Sequence, residues 1–216
     1  MQITNDRESA PLFVQYGSGP LSDPLGWISF DASPTLLIEK IPVIGRLIRK
    51  NGNYFPRNTR YGDIVRGLPL PSSSCAAIYA SHVLEHLTLC DARVALANTY
   101  SLLRPGGIFR VIVPDLRFIA TQYLDSNIAE ASLTFMRRSG LGRESSPTGA
   151  ITFLTQTFGK SQHLWMWDHR ALERELRAVG FEEIRPCKFN DSEEPAFLDV
   201  EDKLRFQESV AIECVK

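Results

Sequence analysis

The sequence of 216 residues lacks any run of roughly 18 uninterrupted apolar residues, so no membrane-spanning helix is readable in it. The polar opening, Met1 to Ala10, shows no secretory leader pattern, so a flexible N-terminus over 1–10 and a cytoplasmic setting are expected. Cysteine is scarce. Cys75, Cys90, Cys187 and Cys214 stand far apart with no CxxC pair, which argues against a disulfide framework or a thiolate zinc site and for buried small hydrophobes. An excess of positive charge is also missing. With 24 basic against 25 acidic side chains and a net charge of -1, no nucleic-acid partner held by bulk charge is expected. Internal repeats and long low-complexity tracts are absent. What is present, 44% hydrophobic and 10% aromatic residues, is enough for a single domain over 1–216.

Charge is unevenly placed. Lys40, Arg46, Arg49, Lys50, Arg57 and Arg60 face only Glu39 between Ser33 and Gly62. Asp191, Glu193, Glu194, Asp199, Glu201 and Asp202 have no basic neighbour between Asn190 and Asp202. The basic stretch also carries Leu36, Leu37, Ile38, Ile41, Val43, Ile44, Leu47 and Ile48. It reads first as a helix packed on the sheet, and alternatively as peripheral membrane contact through 36–50.

Short apolar or β-branched runs at Leu12–Tyr16, Trp27–Phe30, Tyr61–Val65, Ala76–Ala80 and Ile108–Val113 alternate in their later part with helical patterns. Asp91 opens one helical pattern that ends at Arg104-Pro105-Gly106-Gly107, and Asp168 opens another that ends at Gly180. Two further strands, Phe181–Phe189 and Glu208–Val215, complete an α/β, mostly parallel sheet of seven strands with an antiparallel closing pair. In such a sheet ligands gather beyond the carboxyl ends of the strands. Gly17-Ser18-Gly19, Asp31, Asp63, Ser81-His82 and Pro114-Asp115 stand there. Glycines permit close approach, and a carboxylate suits a ribose, so a nucleotide-type site is expected.

The run Leu68-Pro69-Leu70-Pro71, then Ala77 to Leu87 containing Ser81-His82-Val83-Leu84-Glu85-His86, then Leu102-Leu103-Arg104-Pro105-Gly106-Gly107-Ile108-Phe109 resembles the class I S-adenosylmethionine-dependent methyltransferases. Gly26 to Asp31 and Trp165-Met166-Trp167-Asp168 through Phe181 extend the likeness over roughly 12–216. The resemblance implies a Rossmann-like fold and S-adenosylmethionine as cofactor. It places Gly17 and Gly19 under the methionine part, Asp31 on the ribose, Asp63 near the adenine amine, and Ser81 near the methionine, with Ser18, Ala32 and Ile64 beside them. His82, Glu85 and His86 would be the catalytic group near the transferred methyl. Asp115, His163 and Trp165 would face the acceptor, and 139–162 would form a lid. Substrates of the nearest-looking relatives are often sugars, lipids or cell-envelope precursors, and the end of the fourth strand lacks the Asn/Asp-Pro-Pro-aromatic motif of many amino-group methyltransferases, so a hydroxyl of a small-molecule, sugar or lipid-linked acceptor is expected.

Departures accompany the likeness. The third glycine is replaced by Pro20-Leu21-Ser22, and Ala76 stands where an aspartate is usual. Only Pro20 to Gly26 separates the glycine turn from the second strand, too few for a crossover helix. The first crossover helix is therefore expected to be shortened or missing, with the uncovered sheet face buried in a homodimer. An altered cofactor loop leaves a second reading, a cofactor-impaired binding or accessory protein. A third is a metal-dependent hydrolase, because His82 to His86 is literally HxxEH. Some O-methyltransferases resembling this chain also carry ExxEH here with a divalent ion. No bound metal is the leading expectation.

Overall fold

The computed structural model describes residues 11–20, 24–41, 55–142, 144 and 162–216. The expected flexible terminus, most of the 139–162 lid and 42–50 of the basic stretch lie outside them. Chain order is β1 (Leu12–Tyr16), β2 (Trp27–Asp31), α1 (Pro34–Glu39), β3 (Arg60–Tyr61), β4 (Cys75–Ser81), α2 (Leu89–Leu102), β5 (Leu103–Pro114), α3 (Leu116–Leu124), α4 (Ala131–Ser139), α5 (His169–Val179), β6 (Glu182–Pro186) and β7 (Ser209–Val215). The strands form one sheet in the order β3-β2-β1-β4-β5-β7-β6. Pairs from β3 across to β5 are parallel, and β7 runs antiparallel to both β5 and β6. The expected α/β architecture with an antiparallel close is what the chain adopts.

Local chemistry sets the element ends. Thr88, rather than the expected Asp91, caps α2, its hydroxyl accepting from the Asp91 N–H. Asp91 sits in the first turn, where its carboxylate accepts from the Thr88 hydroxyl at 2.9 Å. Asp168 caps α5 as expected, and Gly180 ends that helix in the left-handed region at φ 112. Arg104-Pro105-Gly106-Gly107 does stop α2, but β5 begins at once and runs through it. A Cβ on Gly107 would stand 2.9 Å from the Arg104 carbonyl and 3.0 Å from that of Cys75, so glycine admits this tight strand start. The third strand is shorter than Tyr61–Val65, because the chain folds into turns after Tyr61. Arg66 N–H donates to the Asp63 carbonyl, and Val65 N–H to the Asp63 carboxylate.

Alternation along the strands divides the core between two faces. On one, Val14, Tyr16, Phe30, Ile78, Ala80, Phe109 and Val111 pack with Ala92, Ala95 and Leu96 of α2 and Leu172 and Leu176 of α5. On the other, Phe13, Trp27, Ala77, Tyr79, Ile112 and Ala211 meet no helix among those named above. The described residues between β1 and β2 form turns, so the first crossover helix is indeed absent there.

The uncovered face expected from that absence does not exist. The connection between β6 and β7 folds back across it, with Phe197, Val200 and Phe206 packed against the strands. Phe197 is 1% exposed, and its ring centroid lies 5.6 Å from that of Trp27 and 6.3 Å from that of Tyr79. Trp27 Nε1–H donates to the Ala196 carbonyl at 3.1 Å. The apolar surface that motivated a homodimer is thus covered within one chain.

The acidic stretch is part of this cover. Arg110 of β5, with no exposed side-chain surface, meets Glu213 at 2.6 Å, Glu201 at 2.6 Å and Asp191 at 3.1 Å. It also donates to the Lys188 carbonyl at 2.9 Å, and its guanidinium lies 5.3 Å from the Phe197 ring centroid. Burial pushes the Glu201 carboxyl up despite Asn190 N–H and Arg110. Burial acts the same way on Asp191, but the Lys188 N–H and the Arg110 and Arg185 guanidinium groups outweigh it and hold that carboxyl low.

Candidate active site

The carboxyl ends of β1, β2 and β4, with the turn after β3, surround a cavity of about 240 Å³. Gly17, Gly19, Asp31, Ala32, Asp63, Ile64, His82 and His86 line it, so most of the sequence candidates converge. Gly17 and Gly19 adopt φ 66 and 65, in the left-handed region that favours glycine. At Gly17 space also matters. A Cβ there would stand 2.3 Å from Val83 Cγ2. Asp31 ends β2 only 8% exposed, with Oδ2 accepting from the Gly19 N–H at 3.0 Å and Oδ1 from the Ser33 N–H at 2.7 Å. Ser33, not Asp31, is the cap of α1. The carboxylate thus ties the glycine turn to the end of β2 and keeps lone pairs for further donors.

Not every candidate lines this cavity. Ser18 and Ser81 face a second cavity of about 330 Å³ on the far side of Gly17, which Asp199, Asp202 and Arg205 of the β6–β7 connection close. Asp115 caps α3, its carboxylate accepting from the Arg117 N–H at 2.8 Å, and lies outside both linings. Several lining residues escaped the sequence reading: Tyr16, Phe55, Gly62, Val83 and Leu87. Gly62 carried a signal, standing directly before Asp63. A Cβ on it would meet Phe30 Cδ1 at 2.6 Å.

After β4 the chain turns sharply. His82 takes φ 56, and a single 3-10 turn, Leu84–His86, follows. HxxEH therefore does not lie on one helix, and its two histidines do not share a helical face. Glu85 is driven inside, its side chain 1% exposed, with Oε1 3.3 Å from His82 Nδ1 and 3.9 Å from His86 Nε2. Neither carboxylate oxygen accepts a hydrogen bond among the described residues. His82 Nε2 lies 3.1 Å from the Arg205 carbonyl, which can only accept, so that nitrogen is the donor.

The segment before α5 docks against this turn. Leu164 and Trp165 N–H groups both donate to the Glu85 carbonyl, at 2.7 and 3.2 Å. His163 is thereby brought beside His86, their ring centroids 5.0 Å apart and edge to face. Trp165 stays 41% exposed, its ring centroid 6.4 Å from that of the buried Trp167.

This sheet order, with the glycine turn, Asp31 and Asp63 around one cavity, is the arrangement expected of a class I S-adenosylmethionine-dependent methyltransferase. The sequence profile described as "Methyltransferase domain" matches residues 16–185, well over half of the chain. The protein belongs to that methyltransferase family. Among solved structures, it is similar to an S-adenosylmethionine-dependent methyltransferase of Thermotoga maritima, described as a possible histamine N-methyltransferase. That match has a TM-score of 0.52 at 17% identity, covering 96% of this chain and 83% of the other. It is also similar to PigF, solved with SAH, with a TM-score of 0.50 at 15% identity over 95% of this chain and 50% of that one. A methyltransferase of Archaeoglobus fulgidus gives 0.49 at 16% identity over 95% and 86%. No curated protein sequence matches. The protein is an S-adenosylmethionine-dependent methyltransferase. Among the described residues no helix is long and apolar enough to cross a membrane.

Proposed function

We propose that the enzyme methylates a hydroxyl oxygen of a small-molecule, sugar or lipid-linked acceptor. The observation that carries this reading is the buried Glu85 carboxylate, flanked by His82 and His86 at the cavity and approached by His163. A hydroxyl is a weak nucleophile until its proton is removed, so it needs such a group more than an amine does.

In this reading Asp31 receives the ribose hydroxyls, Gly17 and Gly19 let the cofactor pass close to the backbone, and Asp63 with Ile64 borders the adenine. The fit rests on the cavity these residues share and on the lone pairs Asp31 retains. Bound S-adenosylmethionine supplies a methyl group on a sulfonium. The chain supplies orientation and proton removal. His82 is a poor base, since its Nε2 is held by Arg205 and its Nδ1 points at Glu85. His86, whose side chain lines the cavity, is better placed. His163 and Trp165 border the acceptor. A lipid-linked acceptor, met at the cytoplasmic face of a membrane, would suit the exposed Leu37, Ile38 and Ile41 at α1 and just after it.

Calorimetric titration with S-adenosylhomocysteine tests the cofactor roles. Asp31→Ala should weaken binding by about 1.5–3 kcal/mol, the worth of a hydrogen bond to a charged group. Methyl-transfer assays on matched hydroxyl and amine acceptors, guided by mass spectrometry of co-purified ligands, test the acceptor class. A preference for amines with no turnover of hydroxyls would overturn it.

A further inference from the structure

We infer that the second cavity, on the far side of Gly17, binds an uncharged sugar unit of the acceptor. This rests on the methyl-transfer reading above and names where the body of such an acceptor sits. The cavity measures about 330 Å³, at the small end of the roughly 300–1,000 Å³ of small-molecule sites. A single sugar ring suits that space.

The floor of the cavity holds hydrogen-bonding capacity that the chain itself does not use. Tyr79 and Ser81, two residues apart on β4, present their hydroxyls to the same side of the sheet. Tyr79 is only 4% exposed, and the two hydroxyls face each other with no further partner among the described residues. Two hydroxyls carry two protons, and a bond between them uses one. The other proton is buried without an acceptor, an unfavourable state that ends when an oxygen enters the cavity to take it. Burial pushes the Tyr79 phenol up, and the Ser81 hydroxyl opposes this only in part, so the phenol keeps its proton and donates.

The mouth carries charge of both signs. Asp199, Asp202 and Arg205 of the β6–β7 connection line it and are exposed. Arg205 makes no ion pair among the described residues. Asp202 spends one carboxylate oxygen on the Leu204 N–H at 2.9 Å and keeps the other. Carboxylates accept from hydroxyls, while a guanidinium and a phenol donate to them, so the ligand that uses the whole set is one whose oxygens both give and take. A sugar ring has that chemistry. A phosphate or carboxylate ligand would instead meet two carboxylates against one guanidinium.

This wall is held in place before any ligand arrives. Glu201, which stands among the mouth residues, lies 2.6 Å from the buried Arg110, and the His82 ring holds the Arg205 carbonyl at 3.1 Å. Binding then spends little on ordering the site. Tyr16 and Gly17 line both cavities, so a sugar held here has only that shared wall between itself and the first cavity.

Saturation-transfer NMR on protein whose first cavity is filled with S-adenosylhomocysteine tests the site, with the methyl glycosides of glucose, galactose, mannose and N-acetylglucosamine as probes. At least one should bind, and the 6-phosphate of the same sugar should bind more weakly. Affinity for that glycoside should fall at least about tenfold in Arg205→Ala and in Asp202→Asn, and about two- to tenfold in Tyr79→Phe, with S-adenosylhomocysteine binding unchanged. Asparagine caps a turn as aspartate does, and Tyr79→Phe removes one hydroxyl and no packing atom, so neither result reports a melted fold. Binding by none of the four glycosides, binding indifferent to all three substitutions, or tighter binding of the 6-phosphate would each overturn the assignment. Cofactor binding without glycoside binding removes the sugar site alone. Glycoside binding that Arg205→Ala abolishes, in a protein that takes no S-adenosylhomocysteine, removes the methyl-transfer reading instead.

Discussion

The two faces of the sheet are buried by different means. Helices α2 and α5 cover one with aliphatic side chains at helical spacing, such as Leu96, Leu172 and Leu176. The β6–β7 connection covers the other with two 3-10 turns and one aromatic plug, over the buried Arg110 guanidinium of β5 and its three carboxylates. Helices satisfy their own backbone groups and need only an apolar stripe. An irregular cover must find partners for its backbone, and Arg110 and Trp27 supply them by donating to the Lys188 and Ala196 carbonyls.

Breaking the charged cover should have the largest effect. Arg110→Ala leaves the buried Glu201 without its cation and Glu213 with Arg185 alone, and urea unfolding should show a loss of about 3–5 kcal/mol. Acid should probe the same network with two signs. Asp191, held low in the fold, stabilises above its unfolded value of about 3.9 and ceases to as pH falls through its lower folded value. Glu201, pushed up, takes its proton first in the fold, so its share of stability rises as pH falls.

Phe197→Ala, which empties the space against Trp27 and Tyr79, should cost about 3–4 kcal/mol. Leu172→Ala on the helical face should cost about 2–4, measured in the same denaturant series. A much smaller loss at Phe197 would mean that the cover is not a tight core. Asp168→Ala, which removes the cap of α5 alone, should cost about 1 kcal/mol.

Thiol labelling gives the finest comparison. Cys90 is exposed and should react at once, whereas Cys75, Cys187 and Cys214 are buried. Burial pushes the Cys187 thiol up to about 12, with Arg110 only partly opposing it. Its labelling therefore waits for local opening. Cys187 should label faster than Cys214, because the irregular cover opens more readily than a face clamped by helices. Equal rates would show that the two faces open together.

What the sequence made legible was local. Gly17, Gly19 and Asp31 end strands whose alternation is visible within five residues, and Asp168 with Gly180 brackets α5 by chemistry confined to that helix. What it hid depends on distant meetings. Nothing within Phe181–Glu208 announced that Phe197 would stand in for a missing crossover helix, since its partners Trp27 and Tyr79 lie far back in the chain. Asp115 offered a carboxylate at a strand end, the same local sign as Asp31, yet it caps α3. His163 stood just past the stretch read as a lid and was expected at the acceptor, and only the docking of Leu164 and Trp165 on the Glu85 carbonyl brings it to His86.

The bond from Trp27 to Ala196 spans 169 residues of sequence. While the chain leaves the ribosome, Phe13, Trp27 and Tyr79 are made long before the segment that shelters them. The half-built sheet must carry that aromatic surface until the segment of Ala196 and Phe197 has been made, a window in which it invites association with chaperones or with other nascent chains. Shelter arrives only with that segment, and closing so long a loop makes it a late step of folding.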